Sequence, residues 1–99
     1  MVQLMAKLDV ERLRRIKRLS PIEEVIGDYL KIIEVEDFFI ATCPFHQDAG
    51  TSLRIKPARN SFYCSQCEAS GNVFEFIGMI EQVTSEIVIS ILERRAGLS

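Results

Sequence analysis

Cys43-Pro44-Phe45-His46 is followed, after 17 intervening residues, by Cys64-Ser65-Gln66-Cys67. Two residues lie inside each pair. That gap lets a tight turn aim two side chains at one ion, with the enclosed backbone amides folded back toward the sulfur. Two such knuckles on facing hairpins supply the four tetrahedral ligands that structural zinc prefers. The separation of the pairs also falls in the range of about 15–20 residues expected of paired knuckles. The chain has three cysteines and one histidine, and all of them belong to this pattern. Cys43, His46, Cys64 and Cys67 are therefore the candidate metal ligands, and Zn2+ is the expected cofactor. Three thiolates and one imidazole close the coordination sphere, leaving no position for a reactive water. Redox use of Cys64 and Cys67 alone would require a helix start in a thioredoxin-like setting, which the sequence lacks. Iron–sulfur clusters take four cysteines, or two histidines on one iron, so a lone histidine fits them poorly. No histidine or cysteine remains for a catalytic constellation, and no catalytic residue is assigned.

The elements that must position these ligands are short. A first helix is expected over about 9–19, with Leu8, Leu13 and Ile16 apolar and the other face basic. Ser20-Pro21-Ile22-Glu23 reads as a restart: Ser20 as cap, Pro21 at the first helical position and Glu23 completing a capping box. Ile22, Val25, Ile26, Tyr29 and Leu30 then form one apolar stripe, so this helix packs on the core. From Lys31 to Thr42 the residues turn β-branched and aromatic, predicting two strands that reverse near Glu36-Asp37. Leu53 to Lys56 and Ser61 to Tyr63 predict two more, with Pro57 to Asn60 as the turn. Asn72 caps a helix with Glu75 three residues on, and Val73, Phe74, Ile77 and Ile80 are expected inside. Thr84 or Ser85 starts a last helix bearing Val88, Ile91, Leu92 and Ile87 inward, ended by Gly97. The expected class is α+β: a zinc ribbon of short antiparallel strands (about 31–67) between helices at about 9–30 and 72–96, all in one domain.

Length and charge set further limits. With 99 residues and 47% hydrophobic content, the chain can bury only a small core, the situation in which a metal serves as a staple. No apolar run is long enough to span a bilayer. The first residues make a poor signal peptide, so a cytoplasmic protein with reduced thiols is expected. The net charge of −2 conceals segregation. Lys7 to Arg18 holds six basic residues against Asp9 and Glu11, Ser20 to Gly50 holds seven acids against Lys31, and Thr51 to Tyr63 holds Arg54, Lys56 and Arg59 with no acid. An acidic total does not exclude nucleic acid, because binding needs only a local positive surface.

Taken together, Cys43-Pro44-Phe45-His46, Phe62-Tyr63-Cys64-x-x-Cys67 and Ala69-Ser70-Gly71-Asn72-Val73-Phe74-Glu75-Phe76 resemble the zinc-binding domain of bacterial-type DNA primases. Ile26-Gly27-Asp28-Tyr29 matches the helix end that precedes the ribbon there, and the likeness runs from about Ser20 to Gly97. The resemblance implies a ribbon that binds single-stranded DNA template and helps choose where RNA primer synthesis starts. It also implies a polymerising active site in a separate domain that follows. A chain of 99 residues has no room for that second domain and is expected to synthesise nothing alone. It is either a fragment of a longer primase or a free-standing relative.

Several positions depart from the family. The hairpin before the first cysteine, Ile33 to Phe38, is acidic where basic residues and glycine are usual. After the histidine, Ala49-Gly50-Thr51-Ser52-Leu53 replaces a Lys-Thr-Pro-Ser-Phe type of segment, and Ser65-Gln66 replaces Phe-Gly between the last cysteines. On the ribbon itself, Arg54 and Lys56 share a strand face opposite Leu53 and Ile55, Arg59 sits in the next turn, and Phe62 and Tyr63 point to opposite faces. Cations that follow phosphates beside an aromatic that stacks bases would bind single strands without sequence preference. Arg54, Lys56, Arg59 and Tyr63 are therefore the candidate nucleic-acid contacts. The alternative is that Phe62 packs under the metal site and the cations are ordinary solvated charge. The basic first helix is a second candidate contact, for DNA or for an acidic partner. Two functions are weighed: a template-binding module working with a primase catalytic domain or other replication proteins, and a zinc-scaffolded protein–protein interaction module. The acidic hairpin and the isoleucine-rich last helix motivate the second.

Overall fold

Leu53 and Ile55 are buried while Arg54 and Lys56 between and after them are not, and this alternation divides the sheet into a core face and an outer face. In the computed structural model, which describes residues 2–98 and the side chains of 10–98, helix α1 (Val2–Arg18) leads into α2 (Ile22–Gly27). Strands β1 (Ile33–Val35), β2 (Phe38–Ala41), β3 (Leu53–Lys56), β4 (Ser61–Cys64) and β5 (Ser70–Gly71) follow, then α3 (Val73–Glu81) and α4 (Ser85–Arg95). The five strands form one antiparallel meander in chain order. Every strand pairs with its sequence neighbour: three of the connections are short turns, and the fourth, between β2 and β3, is the longer loop 42–52. The fold is α+β, as expected.

Register aligns the two faces. Phe39, Ile55, Phe62 and Gly71 oppose one another across the sheet, as do Ala41, Leu53 and Cys64. The other face carries the row Ile33, Ile40, Arg54, Tyr63 and Ser70. Helices cover the inner face: α2 packs against β3 and α3, α3 against β5 and α4, and α1 against α4. Ile16, Ile22, Val25, Ile26, Phe76 and Leu92 close the core between these layers.

Several expectations are corrected. The first helix is longer than 9–19, and Lys7 and Leu8 lie outside the described side chains. The second helix stops at Gly27, so Tyr29 and Leu30 occupy the turn after it. Ser20 does not cap. Pro21 takes the N-cap position with φ −55° and ψ 131° and no side-chain cap, while Ser20 is buried with its hydroxyl unpaired. The helix amide of Ile22 instead donates to Asn60 Oδ1 at 3.1 Å, a cap supplied from the distant ribbon turn. The ribbon runs past Cys67, because Ser70–Gly71 adds a fifth strand. In α3 the fully buried residues are Val73, Phe76 and Ile77, while Phe74 and Ile80 are only half-buried. In α4, Val88 and Leu92 are buried but Ile87 is 47% exposed, since its position on the helix faces away from α3. The caps at the two ends of this region form as expected. Asn72 accepts from Glu75 N while Glu75 accepts from Asn72 N. After α4, Gly97 (φ 76°) and Leu98 donate back to Arg94 and Glu93 carbonyls, the reverse turn a left-handed residue permits.

Candidate metal centre

Each knuckle is a local device. The loop after β2 carries Cys43 and His46, and the turn after β4 carries Cys64 and Cys67. Phe45 N donates to Cys43 Sγ at 3.5 Å. Gln66 N and Cys67 N both donate to Cys64 Sγ at 3.4 Å. These are the folded-back amides that a two-residue gap predicts. Glu68 follows in the left-handed region (φ 63°) and its amide returns to Cys64 O, which turns the chain toward β5.

The sheet brings the two knuckles together. Leu53 pairs with Cys64 and with Ala41, so β3 holds the strand ends that carry both pairs. One donor atom from each of Cys43, His46, Cys64 and Cys67 lies within 4.8 Å of the others. Cys43 Sγ and Cys67 Sγ are 3.8 Å apart. That matches the edge of about 3.8 Å that two sulfurs at ~2.3 Å from one tetrahedral zinc would span. His46 presents Nε2 3.3 Å from Cys64 Sγ, while its Nδ1 sits 3.0 Å from the Gln47 carbonyl. A carbonyl can only accept, so Nδ1 carries the proton and Nε2 is left free to ligate. Donor set, spacing and tautomer all fit Zn2+, which is the cofactor of this site.

Electrostatics differ between the two knuckles. Burial, offset in part by the Phe45 amide and reinforced by the neighbouring thiols, pushes the Cys43 thiol up to about 12. Cys64 is also desolvated, but the amides of Cys67 and Gln66 outweigh this and bring it down to about 6. A divalent cation supplies the charge that holds such thiols as thiolates.

Residues that sequence reasoning did not single out shape the centre. Asp48 Oδ2 accepts from Cys43 N at 2.9 Å and from Ser52 N at 3.0 Å. Its Oδ1 accepts from Gly50 N at 3.1 Å and from Ser52 Oγ at 2.7 Å. The Cys43 amide, then the Ser52 donors, hold this carboxyl far below the usual carboxylate range. One side chain thus fastens the whole 43–52 loop. The signal was present in the polar, glycine-containing run Gln47 to Ser52, where an aspartate accepting amides a few residues on is a common turn device. Phe45, inside the first knuckle, packs on Phe62 and Phe76 with ring centroids 6.0 and 5.7 Å apart. Phe62 is 1% exposed, a core residue that meets the first knuckle through Phe45.

Tyr63, one residue on, is 47% exposed and sits directly across from Arg54. Arg54, Lys56, Arg59 and Tyr63 line one open groove on the outer face of the ribbon, together with Asp37 and Phe38. The Arg54 guanidinium is oriented by a 2.6 Å bond to the Thr51 carbonyl. Asp37 brings the acidic hairpin to the edge of this groove, so the positive surface has a negative border. Among the described residues no helix is long and apolar enough to cross a membrane.

Residues 8–99 match the family described as CHC2 zinc finger. A DNA primase of Thermotoga maritima is 32% identical over 88 residues, which are 89% of this chain and 16% of that protein. A DNA primase of Halalkalibacterium halodurans is 30% identical over 92 residues, covering 93% of this chain and 15% of its own length. The crystal structure of the zinc-binding and RNA polymerase domains of Aquifex aeolicus primase superposes with a TM-score of 0.82 at 27% identity, over 87% of this chain and 21% of that one. The chain thus spans only a small part of the primases it resembles.

Proposed function

The chain belongs to the CHC2 zinc-finger family, the zinc-binding domain of bacterial DNA primases, and on that premise we propose that it is the template-binding module of a primase. Cys43, His46, Cys64 and Cys67 hold the zinc, which supplies no chemistry beyond fixing the two knuckles. The ribbon then presents Arg54, Lys56 and Arg59 to the phosphates of single-stranded DNA and Tyr63 to a base. RNA primer synthesis belongs to a catalytic polymerase domain that works with this module. The observation that carries the reading is the convergence of those four side chains in one groove beside the zinc site. Stacking on an exposed aromatic with cations alongside is sequence-tolerant and salt-dependent.

The test is binding of the zinc-loaded protein to a fluorescent single-stranded oligonucleotide at several salt concentrations. Three phosphate contacts contribute about 2 units to the log–log salt slope, and an Arg54/Lys56/Arg59→Ala variant is expected to lose them. Identical binding by that variant would remove the assignment. A second reading, a protein–protein contact in a replication complex, is favoured by one observation. Met79 and Ile87 are 39% and 47% exposed, and Met79 borders an apolar groove with Phe74, Val83, Val88 and Ile89 between α3 and α4. No binding of the oligonucleotide at low salt would point there instead, and the apolar partner contact would itself resist salt.

A further inference from the structure

The arginines of α1 take no part in the zinc site or the ribbon groove, yet they are placed as a set. Ile16 is fully buried and Leu13 half-buried, which turns that side of the helix inward. Arg14, Arg15 and Arg18 fall within about 100° of one another on the opposite side, and all three are exposed. Among the described residues no carboxylate lies within ion-pair distance of any of them. The acids nearby are Glu11, which shares their groove, and Glu93, which already takes two bonds of 2.7 and 2.6 Å from Arg12. A groove of about 650 Å³ therefore runs beside this face with positive charge in excess.

Its position links it to the ribbon. Helix α1 ends at Arg18, and four residues later the Ile22 amide is bonded to Asn60 Oδ1. Asn60 follows Arg59, which lines the ribbon groove. The bond ties the start of α2 to the turn between β3 and β4, so the basic end of α1 and the cationic turn stand at adjoining corners of the molecule.

We infer that the Arg14/Arg15/Arg18 face of α1 is a second binding surface for the phosphate backbone of a single-stranded nucleic acid, continuing the path from the ribbon groove. This rests on the template reading of that groove. Guanidinium groups match phosphate oxygens with two parallel donors, and Arg14 and Arg18 are offset by about 6 Å along the helix. Both surfaces are open and carry positive charge in excess of the Asp37 and Glu11 at their borders, and a polymer of uniform negative charge is the ligand that can follow both. The negative end of the helix dipole would repel such a ligand, and the arginines of the last turn reverse that sign.

The test uses the full, zinc-loaded chain and fluorescent oligothymidylates of about 8 and about 24 nucleotides, bracketing one single-strand site and a longer path. In an Arg14/Arg15/Arg18→Ala variant the salt slope for the longer strand falls by about 2, so affinity at about 0.1 M salt drops about 100-fold. Binding of the short strand stays as in the unaltered protein. A matching Lys variant retains most of the long-strand affinity, and zinc content and melting temperature serve as folding controls. Equal long-strand slopes in the Ala variant and the unaltered protein would overturn the inference while leaving the ribbon reading intact. Loss confined to the α1 variant, with the Arg54/Lys56/Arg59→Ala variant binding normally, would overturn the ribbon reading and the continuous path with it. No binding of either strand by the unaltered protein would overturn both.

Discussion

Replacing Phe76 by alanine tests whether the zinc site is held up by the core beneath it. Phe76 is fully buried and meets Tyr29, Phe45 and Phe62 edge-on at 5.9, 5.7 and 5.5 Å. Truncating a buried phenylalanine costs about 3–5 kcal/mol through lost transfer energy and the cavity left behind. The upper part of that range applies, because three rings lose a partner worth about 0.5–1.5 kcal/mol each. A domain of this size has only about 5–15 kcal/mol in total. Phe45 lies between Cys43 and His46, so its loosening reaches the ligands directly. Where zinc binding and folding are coupled, the destabilisation appears as weaker apparent zinc affinity by about 3 to 3.5 orders of magnitude, at about 1.4 kcal/mol per tenfold. Urea titration followed by circular dichroism at fixed free zinc gives the stability, and competition with a chromophoric chelator gives the affinity. A loss under about 1 kcal/mol together with unchanged zinc affinity would refute the claim that the aromatic cluster supports the knuckle.

Asp48→Asn replaces one of two accepting oxygens by a donor, so either the bonds from Cys43 N and Ser52 N or the bond from Gly50 N are lost, while the Ser52 hydroxyl can turn to accept. Zinc affinity should fall about 10–100-fold, as for other groups that orient metal ligands, and chelator competition measures it. Asn60→Ala removes the side chain that accepts from Ile22 N and leaves a β-carbon at φ 50°. The expected cost is about 1–2 kcal/mol in chemical denaturation, and a neutral result would mean the distant cap contributes nothing. Glu93 has its pKa lowered by the Arg12 guanidinium. A lowered folded-state pKa adds stability that is present above the unfolded value of about 4.3 and is lost as pH falls through the folded one. Melting curves of Glu93→Gln and the unaltered protein should therefore differ at pH 7 and converge as pH falls below about 4. A gap that stayed constant with pH would rule out the ion pair as its cause.

Much of the fold was legible because its determinants are close in sequence. The alternation in Leu53 to Lys56, the reversal at Glu36-Asp37 and the paired caps of Asn72 and Glu75 all act over a few residues, and they formed as the pattern implies. The Ser20 capping box failed for a reason outside its own segment. Core packing buries Ser20 and hands the Ile22 amide to Asn60, 38 positions away. Ile87 was misplaced because an isoleucine-rich helix has more apolar positions than one face can hold, and only the docking of α4 against α1 and α3 selects Val88 and Leu92. The short strand Ser70–Gly71 carries no β-branched residue to announce it and exists through its pairing with Phe62 and Tyr63.

The same division holds at the site. By itself the sequence determined the donor types, the two-residue gap within each pair and hence the metal, because ligand chemistry and knuckle geometry are properties of a few adjacent residues. It also put Arg54 and Lys56 on one strand face and set Tyr63 opposite in direction to Phe62. Tertiary structure alone decided that Asp48 would brace the first knuckle, that Phe76 would wedge beneath it, and that β-sheet register would align Arg54 with Tyr63. Those contacts join segments whose approach is set by packing and strand register, and neither is written in any local stretch of the chain.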